Sequence, residues 1–240
     1  MIERCWAVVP AAGIGRRMEA DIPKQYLEIA GCTVLEHTLR ALLCCDALAR
    51  IVVVVAPHDT IWPTLGLNDP RLEVSEGGEQ RSHSVLNGLR ALGSLAGTED
   101  WVLVHDAARP CVTPRDVQRL IDTVGSAGDV SGGLLGTPVG DTLKRVDVDG
   151  RVDMTVPRDG LWRALTPQMF RLGALRDALE AASREGKVPT DECQAMEWRG
   201  VSPPVMVEGA STNLKITLPN DLEIAEQLLR TSTREGIDEQ

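Results

Sequence analysis

The run Ile51-Val52-Val53-Val54-Val55-Ala56 constrains the fold of this 240-residue chain more than any other stretch. β-Branched side chains favour extended backbone, and a run with no polar alternation has no face to present to water. Such a strand is buried on both sides, as in a parallel sheet with helices above and below. Neighbouring stretches fit: Ala7-Val8-Val9, Leu72 to Ser75 and Trp101-Val102-Leu103-Val104 read as further strands. Helical patterns alternate with them. Thr33-Val34-Leu35-Glu36 has the form of a capping box, with Leu35, Leu39, Leu42 and Leu43 in helical period. Val85, Leu86, Leu89 and Leu92 mark a second helix. Thr113-Pro114 opens a third, with Val117, Leu120, Ile121 and Val124 inward. The reading is α/β, a doubly wound, mostly parallel sheet flanked by helices, in a single domain over 1–240.

Later stretches predict a helix with Leu172, Leu175 and Leu179, one capped at Thr190-Asp191-Glu192 and reaching Trp198, and strands at Val205–Glu208 and Asn213–Ile216. Thr217 is read as the cap of a last helix bearing Leu222, Ala225, Leu228 and Leu229. The adjacent acids Asp191-Glu192 read as helix N-terminal charges favourable to the dipole. From Thr137 the pattern changes. Asp141 to Val148, then Asp149-Gly150, then Arg151 to Val156 reads as a polar-sided hairpin with a primed turn, an arm at about 137–160. A lone hairpin is marginal in water, so the arm needs a surface, either its own domain or a second subunit, the economical candidate.

Composition excludes several classes of partner. Net charge is −10 and the pI about 4.9, so broad attraction to nucleic acid or an anionic membrane is not expected. Aromatic residues are 3%, too few for a base-stacking platform. The six cysteines contain no Cys-x-x-Cys pair and the four histidines no ligand spacing, which argues against zinc. With no signal-like segment after Met1, the expectation is a reducing, cytoplasmic setting with free thiols.

The chemistry sits at strand ends. Pro10-Ala11-Ala12-Gly13-Ile14-Gly15-Arg16-Arg17-Met18 follows the first strand with small residues, where a ligand can approach bare backbone. It is neither a dinucleotide fingerprint, which needs glycine at Met18, nor an NTPase loop, which needs Gly-Lys-Ser/Thr at Gly15-Arg16-Arg17. Pro23 precedes Lys24 and is expected to keep that lysine on extended chain. Gly77-Gly78 with Arg81 and Ser84 follows a second strand, and His105-Asp106-Ala107-Ala108-Arg109 a third, so these three segments are expected along one sheet edge. Asp106 suits a magnesium ligand. The commonest use of Asp at such places is a turn cap, here paired with Arg109. Lys215 reads equally as an exposed strand lysine, Thr142 and Arg158 as solvated arm positions, and His105 as a packed histidine.

Taken in order, Pro10–Met18, Pro23–Tyr26, Gly77-Gly78 with Arg81 and Ser84, Val104–Pro110, Asp141-Thr142, Leu161-Trp162, Leu165–Gln168, Thr190–Glu192 and Asn213–Thr217 resemble the 2-C-methyl-D-erythritol 4-phosphate cytidylyltransferase family. The resemblance implies a nucleotidyltransferase-like Rossmann-type fold and transfer of CMP from CTP to the sugar phosphate, with a divalent cation, Mg²⁺, and a homodimer joined through the arm. It implies Arg17 and Lys24 as catalytic. It implies CTP contacts from Ala11, Ala12, Gly13, Gly15, Gly78, Arg81, Ser84 and Ala107. Substrate contacts are implied for Asp106, Arg109, Thr142, Arg158, Thr166, Thr190 and Lys215, with Asp106 also holding metal and Thr142 and Arg158 arriving from the partner. A cytidylyltransferase for another polyol phosphate, such as ribitol phosphate, is the alternative.

Overall fold

A computed structural model describes residues 2, 4–13, 18 and 22–238, with side chains described to Thr231. Its main sheet has seven strands: β1 (Cys5–Pro10), β4 (Leu48–Val55), β5 (Leu72–Glu76), β6 (Trp101–Val104), β7 (Gly132–Pro138), β10 (Trp162–Arg171) and β11 (Val205–Glu208). Their order is β11-β7-β10-β6-β1-β4-β5, and β10 runs antiparallel to both its neighbours while the other pairings are parallel. The pairs β2 (Glu28–Ile29) with β3 (Cys32–Thr33), and β8 (Leu143–Val146) with β9 (Val152–Val156), form two small sheets of their own.

The apolar run behaves as its chemistry requires. Ala7, Val9, Ile51 and Val53 pack on one face with Leu35, Leu39 and Leu42 of α1 (Val34–Leu43) and Leu120 and Ile121 of α3 (Pro114–Ser126). Val8, Val52 and Val54 pack on the other with Leu86 and Leu89 of α2 (Arg81–Leu92) and Leu175 and Leu179 of α4 (Leu172–Arg184). Alternate residues of one strand thus feed two cores, and burying each such side chain stabilises the fold by roughly 1.5–3 kcal/mol. The capping box at Thr33 forms in full, and Thr113 caps α3.

β1 has β4 on one side and β6 on the other, with α1 and α2 on opposite faces, so a crevice opens at its carboxyl end.

Several expectations are corrected. β7 and β10 are strands that glycine and proline conceal. A Cβ on Gly132 would overlap the carbonyl oxygen of Met169, and one on Gly136 the Met206 sulfur, so glycine is what lets β7 sit between β10 and β11. In β10, Pro167 falls where the pairing with β7 shifts register between Ala164 and Gln168. Asn213–Ile216 is not a strand but a connection docked on the chain after β6, with Ile216 N–H on Ala108 O at 2.8 Å. The last helix, α6 (Pro219–Asp238), starts on Pro219, and Asp221, not Thr217, satisfies its approach by accepting from the Thr217 and Leu218 N–H groups. Lys24 is not on extended chain. Pro23 is extended (φ −57°, ψ 136°), and Lys24 then opens a 3₁₀ turn, Lys24–Tyr26.

The hairpin turn is not primed. A primed turn needs positive φ at its first central residue, here Asp149, whereas at this tip only Gly150 (φ 78°) is left-handed, and its N–H bonds Asp147 O. Nor are the sides uniformly polar, since Val146, Val148, Val152 and Met154 are exposed. Between Pro138, the end of β7, and Trp162, the start of β10, the chain leaves the main sheet to form this arm.

Candidate active site

The crevice is a cavity of about 330 Å³. Ala11, Ala12 and Gly13 enter it after β1, Gly78 and Arg81 from the β5–α2 junction, Asp106 and Ala107 after β6, and Lys24 from the 3₁₀ turn. Ser84 and Lys215 complete the predicted residues along its wall. The three strand-end segments expected along one edge therefore meet there.

Backbone bonds fix the walls. Ala11 N–H donates to Val54 O at 2.7 Å, and Gly77 N–H to Val55 O at 2.7 Å. A Cβ on Gly77 would overlap that of Ala12, so a side chain there would force the two loops apart. Gly78 N–H donates to the Ser84 hydroxyl at 3.1 Å, closing the turn into α2. Gln25, buried beside Lys24, donates to Ala11 O at 2.5 Å and ties the lysine's turn to the loop after β1. Tyr26 OH donates to Asp59 Oδ2 at 2.8 Å, and burial, then that hydrogen bond, raises its pKa. Lys24 Nζ donates to Ile216 O at 2.6 Å.

Asp106 is the electrostatic centre. Its Oδ1 accepts from Arg81 Nε at 2.9 Å, and its Oδ2 faces Lys215 Nζ at 2.9 Å and Arg109 Nε at 3.4 Å. Burial pushes the carboxyl pKa up, but Arg81, Lys215 and Arg109 outweigh it and hold Asp106 ionised, far below the usual carboxylate range. Arg109 is itself buried, which lowers its pKa against the pull of Asp106, and its Nη1 donates to Asn213 O at 2.7 Å. Arg81 also spans to Glu192, and these carboxylates raise its pKa over the opposing effect of burial.

Beneath lies His105, fully buried. The Asp106 N–H donates to Thr166 Oγ1 at 3.0 Å, His105 Nδ1 lies 3.0 Å from the same hydroxyl, and Nε2 faces Arg109 O, which can only accept. Nε2 therefore carries the ring proton and donates to Arg109 O at 3.2 Å. Burial pushes the pKa down to about 4, so the ring is neutral at pH 7 and serves as a brace, the packed histidine of the sequence reading.

Other predicted residues lie apart. Thr166 is buried under Asp106 and Arg109 is buried behind it, so neither is among the lining residues. Thr190 is exposed, its N–H on Gln194 Oε1 at 2.8 Å. Thr142 and Arg158 are exposed on the arm, with Arg158 donating to Gly140 O. Gly15 and Arg17 lie outside the described residues.

Three participants escape the sequence reading: Gln25, Thr217 and Glu192. The first two line the cavity, and Gln25 follows Lys24 in the Pro23–Tyr26 motif. Glu192 is buried at the first position of α5 (Glu192–Glu197), where its sequence context explains it by the helix dipole alone. Asp191 is the residue that caps, accepting from Gln194 N–H.

The donor set bears on magnesium. Among the described residues no group of three or more His, Cys, Asp or Glu could hold a metal. Asp106 supplies a hard carboxylate on the cavity wall, and Mg²⁺ commonly takes one or two protein carboxylates together with phosphate oxygens and water. Both oxygens of Asp106 are held by cations, Oδ1 by Arg81 and Oδ2 by Lys215 and Arg109, so a metal would share the carboxylate with them. The residues thus fit Mg²⁺ with a phosphate ligand as co-donor.

The profile of the IspD family, 2-C-methyl-D-erythritol 4-phosphate cytidylyltransferase, matches residues 5–231. The chain belongs to this family. It is 53% identical over 220 residues to the 2-C-methyl-D-erythritol 4-phosphate cytidylyltransferase of Pseudomonas fluorescens SBW25, covering 91% of this chain and 92% of that protein. The enzyme of the same name from Vibrio vulnificus CMCP6 is 49% identical over 221 residues, 92% of each. The crystal structure of Francisella tularensis 2-C-methyl-D-erythritol 4-phosphate cytidylyltransferase superposes with a TM-score of 0.81 at 36% identity, over 94% of this chain and 99% of that one. In this cytidylyltransferase fold the crevice at β1 is the cavity just described, and no described helix is long and apolar enough to cross a membrane.

Proposed function

We propose that the chain transfers the cytidylyl group of CTP to 2-C-methyl-D-erythritol 4-phosphate. A phosphate oxygen of the acceptor attacks the α-phosphorus, a new P–O bond forms, the α–β bridging P–O bond breaks, and pyrophosphate leaves. The observation that carries the reading is the gathering of Lys24, Arg81 and Lys215 with ionised Asp106 along one small-residue cavity in a member of this family.

The chemistry asks little of a base. A phosphate monoester has its second pKa near ~6, so the attacking oxygen is already mostly ionised at neutral pH. The obstacle is charge, since a dianion must meet a polyanion. Two unit charges about 4 Å apart at a protein surface interact by roughly 4 kcal/mol, so a few fixed cations lower the barrier substantially. Lys24 is assigned to the α-phosphate, together with Arg17, and the backbone of Ala11, Ala12, Gly13 and Gly15 to the phosphates. Gly78, Arg81, Ser84 and Ala107 frame the nucleoside. Lys215 faces the sugar phosphate, with Arg109, Thr166 and Thr190 around it, Thr166 by holding the Asp106 loop. Asp106 would hold Mg²⁺, which would supply charge neutralisation for the triphosphate.

Thr142 and Arg158 belong to an arm with exposed apolar side chains, so in this reading they reach the cavity of a second copy, and the enzyme is a homodimer. A cytoplasmic site of action accords with its free cysteines. The test is pyrophosphate release from CTP across a panel of polyol phosphates, with and without Mg²⁺. Release with 2-C-methyl-D-erythritol 4-phosphate and Mg²⁺ supports the assignment. Preference for ribitol phosphate, or no release with any acceptor, refutes it.

A further inference from the structure

We infer that Glu192 is a positioning residue for cytidylyl transfer, acting through Arg81 on the Asp106 carboxylate. The inference rests on the proposed reading of the cavity. Glu192 is 1% exposed and is not among the lining residues, so it does not meet a ligand there itself. Its two carboxylate oxygens receive both terminal nitrogens of Arg81, Nη1 at 2.6 Å and Nη2 at 3.1 Å. The remaining nitrogen of the same guanidinium, Nε, is 2.9 Å from Asp106 Oδ1. A guanidinium is planar with its donors in a fixed fork, so pinning two nitrogens on Glu192 sets the direction of the third.

Glu192 is held in turn. Buried Gln168 of β10 donates to Asp191 Oδ2 at 3.0 Å and accepts the Cys193 N–H at 2.8 Å, clamping both residues that flank Glu192. The central sheet thus fixes α5, α5 fixes Arg81, and Arg81 fixes one oxygen of Asp106, leaving the other to Lys215 and Arg109. Without the Glu192 charge, the Arg81 terminal nitrogens face a cavity built for a triphosphate. They turn to phosphate or to the second oxygen of Asp106, so CTP binds no more weakly while turnover falls.

The test is a double-mutant cycle of Glu192→Gln and Arg81→Lys, which keeps the charge but loses the fork, read by steady-state pyrophosphate release with melting followed by circular dichroism. Glu192→Gln is expected to lower kcat by about tenfold or more without raising the KM for CTP, as loss of an outer-shell partner typically does. Added to Arg81→Lys, it is expected to change kcat by less than about twofold, because the two residues act as one unit. Multiplying losses, or an unchanged kcat in Glu192→Gln, overturn the inference. If Glu192→Gln does not melt cooperatively, Glu192→Asp takes its place, with the same non-additivity expected, and losses that multiply there overturn the inference equally. A wild-type chain that releases no pyrophosphate with any acceptor overturns the reading of the cavity, and the inference with it.

Discussion

Ile51, Val52, Val53 and Val54 are each 0% exposed, whereas in the hairpin Val146 is 53%, Val152 64% and Val148 103% exposed. The same residue type is used in two ways by one chain. In the central sheet, valines on both faces are consumed by helices of their own chain, and the crevice they support is assembled within it. In the arm the apolar side chains have no such cover, and two residues implied in substrate binding, Thr142 and Arg158, stand among them without reaching the crevice. The contrast accords with the proposed homodimer, in which one chain would supply the phosphate cradle and another the rim.

The sharpest break in that comparison is at Lys24. Lys24→Ala should lower turnover by about 10²–10³-fold, the typical cost of one preorganised charge-stabilising donor. CTP affinity by calorimetry should change far less, and unchanged turnover removes the assigned role. Next comes the core. Leu39→Ala should destabilise the chain by about 2–5 kcal/mol in urea unfolding. Val152→Ala on the arm, unfolded at a concentration dilute enough to keep the chain monomeric, should stay within about 0.5 kcal/mol, as exposed substitutions usually do. A comparable cost at both sites in the monomer would mean that the arm packs on its own body.

Exchange between chains sharpens the comparison further. Lys24→Ala and Arg158→Ala chains, each inactive alone, should regain pyrophosphate release when mixed and allowed to exchange subunits. Proven exchange without recovery would mean that the arm does not serve a neighbour's cavity. The smallest effect concerns thiols. Burial pushes Cys5 and Cys193 up to about 12 and Cys111 to about 11, while Cys44 is exposed. Since the thiolate is the reactive form, a disulfide reagent should label Cys44 in the native chain and reach Cys5 and Cys193 only on unfolding. Equal rates would show that the cores open readily.

What the sequence discloses follows from how local each determinant is. The Ile51–Val55 run, the Thr33 capping box and the Thr113-Pro114 helix start are written in consecutive residues, and each forms as read. The loops after β1, β5 and β6 could be placed on one edge because parallel topology sends all three there. β7 could not be seen, because Gly132 and Gly136 are selected by contacts with Met169 and Met206, far away in sequence. Asn213–Ile216 resembles a strand locally, yet it is spent on holding Arg109 and the Ala108 backbone. Glu192 illustrates the same limit at the site. An acid at a helix start has a sufficient local explanation, and only the fold brings Arg81, 111 positions away, onto both of its oxygens.

The most direct measurement is a crystal structure of the chain with CTP and Mg²⁺. The account predicts Lys24 Nζ within hydrogen-bonding distance of the α-phosphate, a metal ion between Asp106 and phosphate oxygens, and cytosine against the Gly78–Ser84 turn. A nucleotide bound elsewhere, or one seated in the crevice with its α-phosphate out of reach of Lys24 and no ion beside Asp106, would contradict it.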